Sequence, residues 1–225
     1  MNSNGFRVEQ KAFSKMIVLP VWIDSLEKKA KWLSIPHLGM ILVALQVIGF
    51  SLVFWRPELL NSLTLDPSAV LSGEVWRLVT FLAIPLSDSF VMLFVLWAVF
   101  YIFRTLSKRW GNFKFSLYFL IAWCGTVLGS FIFSTTVDSF MLIETTFLFA
   151  IAMLSPNYEV NLFYLLPIKM KWLSIFAFVL LILEIALFGT WQLALCVLLS
   201  CANFIVFFGP EIFRRVRLQL TRGRG

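Results

Sequence analysis

The chain has 225 residues, of which 60% are hydrophobic and only 14% charged, with a mean hydropathy of +0.89. A soluble domain carries roughly 25% charged residues to cover its surface, so this composition excludes a soluble globular protein and describes side chains that face lipid or one another. The net charge of +7 reads as Lys and Arg flanking membrane spans rather than as a nucleic-acid surface.

In chain order, residues 1–35 read as a cytosolic N-terminal segment. The apolar run Met16 to Ile23 contains Pro20 and leads into Asp24, Glu27, Lys28 and Lys29 without a small-x-small site. It is therefore not a signal peptide, and residues 16–33 suit an interfacial helix or a plain leader. A span needs about 20 apolar residues. The first runs from His37 to Trp55, interrupted only by Gln46 and closed by Arg56-Pro57. Residues 58–88 mix Pro67, Gly73, Glu74, Arg77 and Pro85 with Leu, Val, Trp and Phe, the composition of a structured loop at the membrane surface. The second span is Phe90 to Leu106, closed by Ser107-Lys108-Arg109, and the third is Phe113 to Phe133. The fourth, Met141 to Leu154, is short and ends at Ser155-Pro156. The fifth is Trp172 to Phe188, and the sixth is Trp191 to Phe208, ending at Gly209-Pro210. A basic cytosolic tail occupies 211–225. The runs lack period-two alternation and exceed barrel-strand length, so the fold class is an all-α membrane protein with one domain over 36–210.

Charge placement orients the spans. Seventeen of the 19 Lys and Arg fall in segments 1–36, 104–114, 155–171 and 209–225; only Arg56 and Arg77 fall in the others. The positive-inside rule then gives six spans with both ends cytosolic. Cys124, Cys196 and Cys201 lie inside apolar runs without disulfide or metal spacing, and they read as small core hydrophobes. No HExxH motif occurs, so no metal and no cofactor is expected.

The segment Gly73-Glu74-Val75-Trp76-Arg77-Leu78-Val79-Thr80 resembles the first-loop motif of the rhomboid superfamily, which includes rhomboid proteases and Derlins. Trp110-Gly111 with Phe115 and Tyr118 is similar to that family's turn between spans two and three, with Ser107 where the family often has Glu. Residues 156–172 are a weaker match. The resemblance implies a rhomboid-like six-transmembrane-helix bundle with a large membrane-embedded first loop. Trp76 suits an interfacial anchor, and Arg77 suits loop carbonyls or a pair with Glu74.

The chemistry of that family is missing. A rhomboid protease uses a Ser in a Gly-x-Ser-Gly setting on span four and a His on span six. The hydroxyl is a weak nucleophile until a base takes its proton. Span four here reads Leu142-Ile143-Glu144-Thr145-Thr146-Phe147, with Thr145 taken as the nucleophile position. Span six reads Ser200-Cys201-Ala202-Asn203-Phe204, and the single histidine, His37, is on the wrong span. The resemblance thus points to a pseudoprotease without catalytic residues.

Ionisable and polar groups inside spans are costly and are functional candidates. Glu144, Thr145, Glu184 and Asn203 are the polar residues expected to face a client or substrate. Gln46 and Asn203 are also placed to bond between spans, and Gly125 and Gly129 form a GxxxG for close helix packing or homo-oligomerisation. The expected function is a rhomboid-like pseudoprotease that binds transmembrane segments of membrane-protein clients, with local bilayer thinning by the short spans. The alternatives are a rhomboid-type intramembrane serine peptidase with non-standard residues, and a small transporter using Glu144 and Glu184. The expected partners are the lipid bilayer and client transmembrane segments, with no nucleic acid. The short ends suit a bacterial inner membrane, with the endoplasmic reticulum as the alternative.

Overall fold

The eighteen residues from Leu38 to Trp55 contain no charge and no proline, and they form one helix of ~27 Å. That is close to the thickness of a bilayer's hydrocarbon. The computed structural model describes residues 20–84, 91–156, 159–162, 166–188 and 191–222. Its principal elements are α1 (Val21–Lys29), α2 (Leu38–Trp55), α3 (Val91–Phe133), α4 (Met141–Leu154), strands β1 (Glu159–Leu162) and β2 (Leu166–Lys169), α5 (Met170–Phe188), α6 (Trp191–Ser200) and α7 (Ala202–Arg222).

Helix α3 is two helices. Gly111 within it has φ 78° and ψ 168°, a backbone conformation open essentially to glycine alone. The rings of Phe103 and Phe115 are 5.6 Å apart, whereas twelve residues along a straight helix span ~18 Å. The chain therefore folds back at Gly111 into antiparallel arms, 91–110 and 112–133. The first arm continues past Ser107-Lys108-Arg109, where the sequence pattern put its end, as far as the turning glycine.

Between α2 and α3 the described residues make five short helical turns: Pro57–Leu59, Leu60–Leu63, Pro67–Leu71, Arg77–Thr80 and Phe81–Ala83. Asp66 caps the third of these: its carboxylate accepts from Ser68 N–H at 2.9 Å and from Ser68 Oγ at 2.7 Å. Those donors hold the carboxyl below the usual carboxylate range. Leu65 and Val137 exchange two backbone hydrogen bonds of 2.9 Å. They tie this loop to the turn between α3 and α4.

Helix α4 is the centre of the bundle. Leu142, Ile143, Thr145, Thr146, Phe147, Leu148, Ala150 and Ile151 are all buried. At ~21 Å it is shorter than the hydrocarbon, but its neighbours and not lipid surround it. Helix α5, at 19 residues, is not short at all. The mismatch expected of spans four and five therefore gives no ground for bilayer thinning. Strands β1 and β2 pair antiparallel before α5, with Glu159 opposite Lys169, a pairing that the all-α reading of the sequence did not include.

Helices α6 and α7 meet at Cys201 with a bend of 64°. α7 then runs through Gly209-Pro210 to Arg222, so the segment expected as a polar tail is helical to that point. Pro210 removes one N–H from the ladder. The turn that follows is held by Glu211, 3% exposed, whose carboxylate pairs with Arg214 at 2.7 Å. Three described helices are long and apolar enough to cross a membrane, or four if the bent pair is one span. The reversal at Gly111 divides the longest of them.

Candidate intramembrane site

The first-loop motif is built around one guanidinium. Arg77 is nine-tenths buried. Its Nε donates to Glu74 Oε2 at 2.6 Å, and its Nη1 donates to the carbonyls of Asn61 at 2.6 Å and Thr64 at 2.9 Å. One planar fork thus ties the turn that ends at Thr64 to Glu74 and to the turn that begins at Arg77, segments that have no common helix ladder. Trp76 beside it is 53% exposed, and Leu71, Val75 and Val79 are also exposed, an apolar surface suited to lipid. The loop is fastened to the third segment by Trp123, whose Nε1 donates to Leu78 O at 2.9 Å.

The turn residues Trp110, Gly111 and Phe115 stand at the opposite end. Phe115 is buried against Phe103 and Phe147, and Trp110 stacks near Tyr118, Phe207 and Phe208. This aromatic core joins both arms of α3 to α4 and α7. In lipid such packing, rather than water exclusion, holds helices together.

Small residues let the sixth segment approach the third. A Cβ on Gly125 would stand 2.2 Å from Leu199 O, and one on Gly129 would stand 3.0 Å from Cys196 Sγ. The GxxxG face is therefore occupied within the chain and is not free for a second copy. At the same contact Thr126 Oγ1 lies 3.0 Å from Ser200 Oγ, both fully buried. Gly49 plays the same part for α2 against Ala83, whose carbonyl comes within 1.8 Å of a would-be Cβ.

The fourth and sixth segments meet through Thr146 and Asn203, both fully buried. Asn203 Nδ2 donates to Thr146 Oγ1 at 2.9 Å and to Tyr118 O at 3.4 Å, while its Oδ1 accepts from Phe204 N–H at 2.7 Å. Thr146 Oγ1 donates its own proton to Ile143 O at 2.7 Å, and Tyr118 OH donates to Thr146 O at 2.7 Å. An amide nitrogen has no lone pair to take a proton. The hydroxyl is an acceptor toward Asn203 and is not activated by it.

Thr145, taken from the sequence as the nucleophile position, does not face the sixth segment. Its hydroxyl bonds to Met141 O at 2.8 Å within its own helix. The residue that does is Thr146. It lies on the fully buried stripe Ile143, Thr146, Phe147 and Ala150, spaced at i, i+3, i+4 and i+7. In a span apolar nearly all round the sequence does not single this stripe out, nor Thr126, another buried polar residue.

Glu144 is half-buried and accepts a short hydrogen bond from Gln46 Nε2 across the α2–α4 seam. Gln46 is 1% exposed, and its Oε1 has no partner among the described residues. Glu184 lies in α5, but its side chain is outside the described residues. Among the candidates whose side chains are described, Asn203 and Thr145 are thus consumed by internal bonds, and Glu144, bonded to buried Gln46, is the one that is partly exposed.

Residues 39–209, about three quarters of the chain, match the family described as eukaryotic integral membrane protein (DUF1751). The chain belongs to this family. It is accordingly an integral membrane protein, and its exposed apolar helix faces meet lipid. Searches of the curated proteins and of the solved structures found no match. The family overturns the bacterial inner membrane expected from the short ends, because its members are eukaryotic. Short ends and inward positive charge arise wherever helices are inserted by the same electrostatic rule, so they never distinguished one kind of membrane from another.

Proposed function

We propose that this family member is a rhomboid-like pseudoprotease, a six-helix membrane module that binds transmembrane segments of client proteins without cutting them. The observation that carries the reading is the Thr146–Asn203 contact. It joins the fourth and sixth segments where a rhomboid protease joins its nucleophile to its base, and here the hydroxyl's proton goes to Ile143 O with no base beside it.

The client-contacting polar group in this reading is Glu144, held in place by buried Gln46. Its partly buried carboxyl is an acceptor. It would favour a client helix that carries a donor, such as Lys, Arg, Asn or Ser, in its outer half. A poorly hydrophobic helix gains most from such a contact, since a lone polar group in hydrocarbon is costly.

Photo-crosslinking from position 47 or 48, exposed on α2 near this pair, should capture a single-pass client bearing a Lys in its outer half. An all-Leu control should not be captured. Glu144→Leu should lower that capture about tenfold, as expected for loss of a charged hydrogen-bond partner. Equal capture of both clients would end the proposal, as would client cleavage abolished by Thr146→Ala or Thr145→Ala.

A further inference from the structure

We infer that the surface made by α1 and the turn Lys31–Leu33 is a docking site for anionic phospholipid headgroups.

The α1 segment is anchored to the bundle on one face only. Ile23 is fully buried and Leu26, Ala30 and Leu33 pack on the core. Asp24 pairs with Lys114 at 2.6 Å, just beyond the Gly111 turn, and Ile35 N–H donates to Ser116 Oγ at 3.0 Å. The segment is therefore held rigidly against the mouth of the α3 hairpin, four residues before α2 enters the bilayer.

The rest of the segment's surface carries Trp22 and Trp32, 42% and 80% exposed, together with exposed Lys28, Lys29 and Lys31. At 100° per residue Trp22 and Lys29 fall on one line of α1, with Lys28 a third of a turn away. Asp24 is already matched by Lys114, which leaves Glu27 as the one acid of α1 to offset three lysines. None of the three lysines makes an ion pair among the described residues. Exposed Lys108 adds a further cation at this end of the bundle.

Exposed tryptophan beside lysine is the composition of a membrane interface. The ring lies at headgroup depth and the ammonium reaches a phosphate. An acidic soluble protein would be matched by the lysines but not by two protruding indoles. The bound partner is therefore a lipid headgroup of net negative charge, such as phosphatidylserine. The inference depends on the six-crossing reading only for which leaflet supplies that lipid.

Native mass spectrometry of the purified full chain, titrated with short-chain phosphatidylserine and, separately, phosphatidylcholine, tests it. The anionic lipid should bind more tightly than phosphatidylcholine. Its apparent Kd should rise about tenfold or more in Lys28→Gln/Lys29→Gln/Lys31→Gln, since one lysine near an anionic surface is worth ~fivefold. The corresponding triple Lys→Arg variant should keep the affinity, and Arg56→Gln at the other end should not change it. An unchanged Kd in the triple Gln variant, or an equal loss in Arg56→Gln, would overturn the site. Displacement of the lipid by equimolar polyglutamate would overturn the lipid assignment in favour of an acidic protein.

Discussion

Arg77 shows what one side chain can hold when secondary structure cannot. The loop after α2 consists of turns too short to satisfy their own ends, and the guanidinium supplies donors to the two carbonyls at one of those ends and to Glu74. Arg77→Leu removes the donor to Thr64 O and to the Glu74 carboxylate and leaves Asn61 O with Thr64 Oγ1 alone; it should cost about 2–3 kcal/mol, measured as a shift in the unfolding midpoint in mixed detergent. Arg77→Lys should recover only part of it, because a single ammonium cannot reproduce the fork. Asn203 was legible as a polar residue inside a span. That it caps the turn after Cys201 while bonding to Thr146 was not, because those partners lie 57 to 85 residues away. Asn203→Leu should lower stability by about 1–2 kcal/mol, somewhat above the ~0.6 typical of one interhelical bond, since the bonds to Thr146 Oγ1 and to Tyr118 O are lost together.

Among the elements, the two kinds of glycine should respond differently to the same change. Gly125→Ala forces a methyl onto the backbone of Leu199, so α6 must move away from α3, at about 1–3 kcal/mol. Gly111→Ala meets no atom within 4 Å. Its cost, also about 1–3 kcal/mol, is backbone strain at φ 78°. Adding a second substitution, Ser200→Ala, tells them apart. It should couple to Gly125→Ala, whose contact it shares, and be additive with Gly111→Ala, which is distant. The helices themselves were legible as apolar runs, and α4 has the predicted bounds. The continuation of α7 through Pro210 was not legible, because a proline and a cluster of arginines read as a stop. The burial of Glu211, whose pair with exposed Arg214 stabilises the turn, depends on what packs over it.

At the scale of the whole molecule, six of the seven exposed tryptophans fall into two belts, Trp97 within the first arm of α3 being the exception. Trp22, Trp32 and Trp172, the last beneath Lys171 at 5.6 Å, stand at one end; Trp55, Trp76 and Trp191 stand at the other. This is the pattern of a bilayer's two interfaces. With the charge asymmetry it leads to a topological prediction. A single cysteine placed at Lys28 or Arg214 should be labelled by an impermeant maleimide from the cytosolic side, and one at Asn61 or Asp138 only from the other side. Labelling of Asn61 and Lys28 from the same side would reject six crossings. The bundle is also asymmetric in burial. α4 is enclosed, whereas α5 is the least buried of the three long apolar helices among the described residues, so it presents much of its surface to lipid.

The sequence by itself determined that the chain lives in a bilayer, where its helices run and where its charge lies. Each of these is a local property, set by the energy of moving a stretch of side chains out of water. Only the tertiary structure decided that Thr146 and not Thr145 meets Asn203, that the GxxxG face is filled from within, and that Glu144 borders the surface while the other polar groups are spent inside. Those are questions of which helix faces touch. In lipid every apolar face is equally at ease, so hydrophobicity does not choose among them. Close packing at glycine and hydrogen bonds between distant residues do.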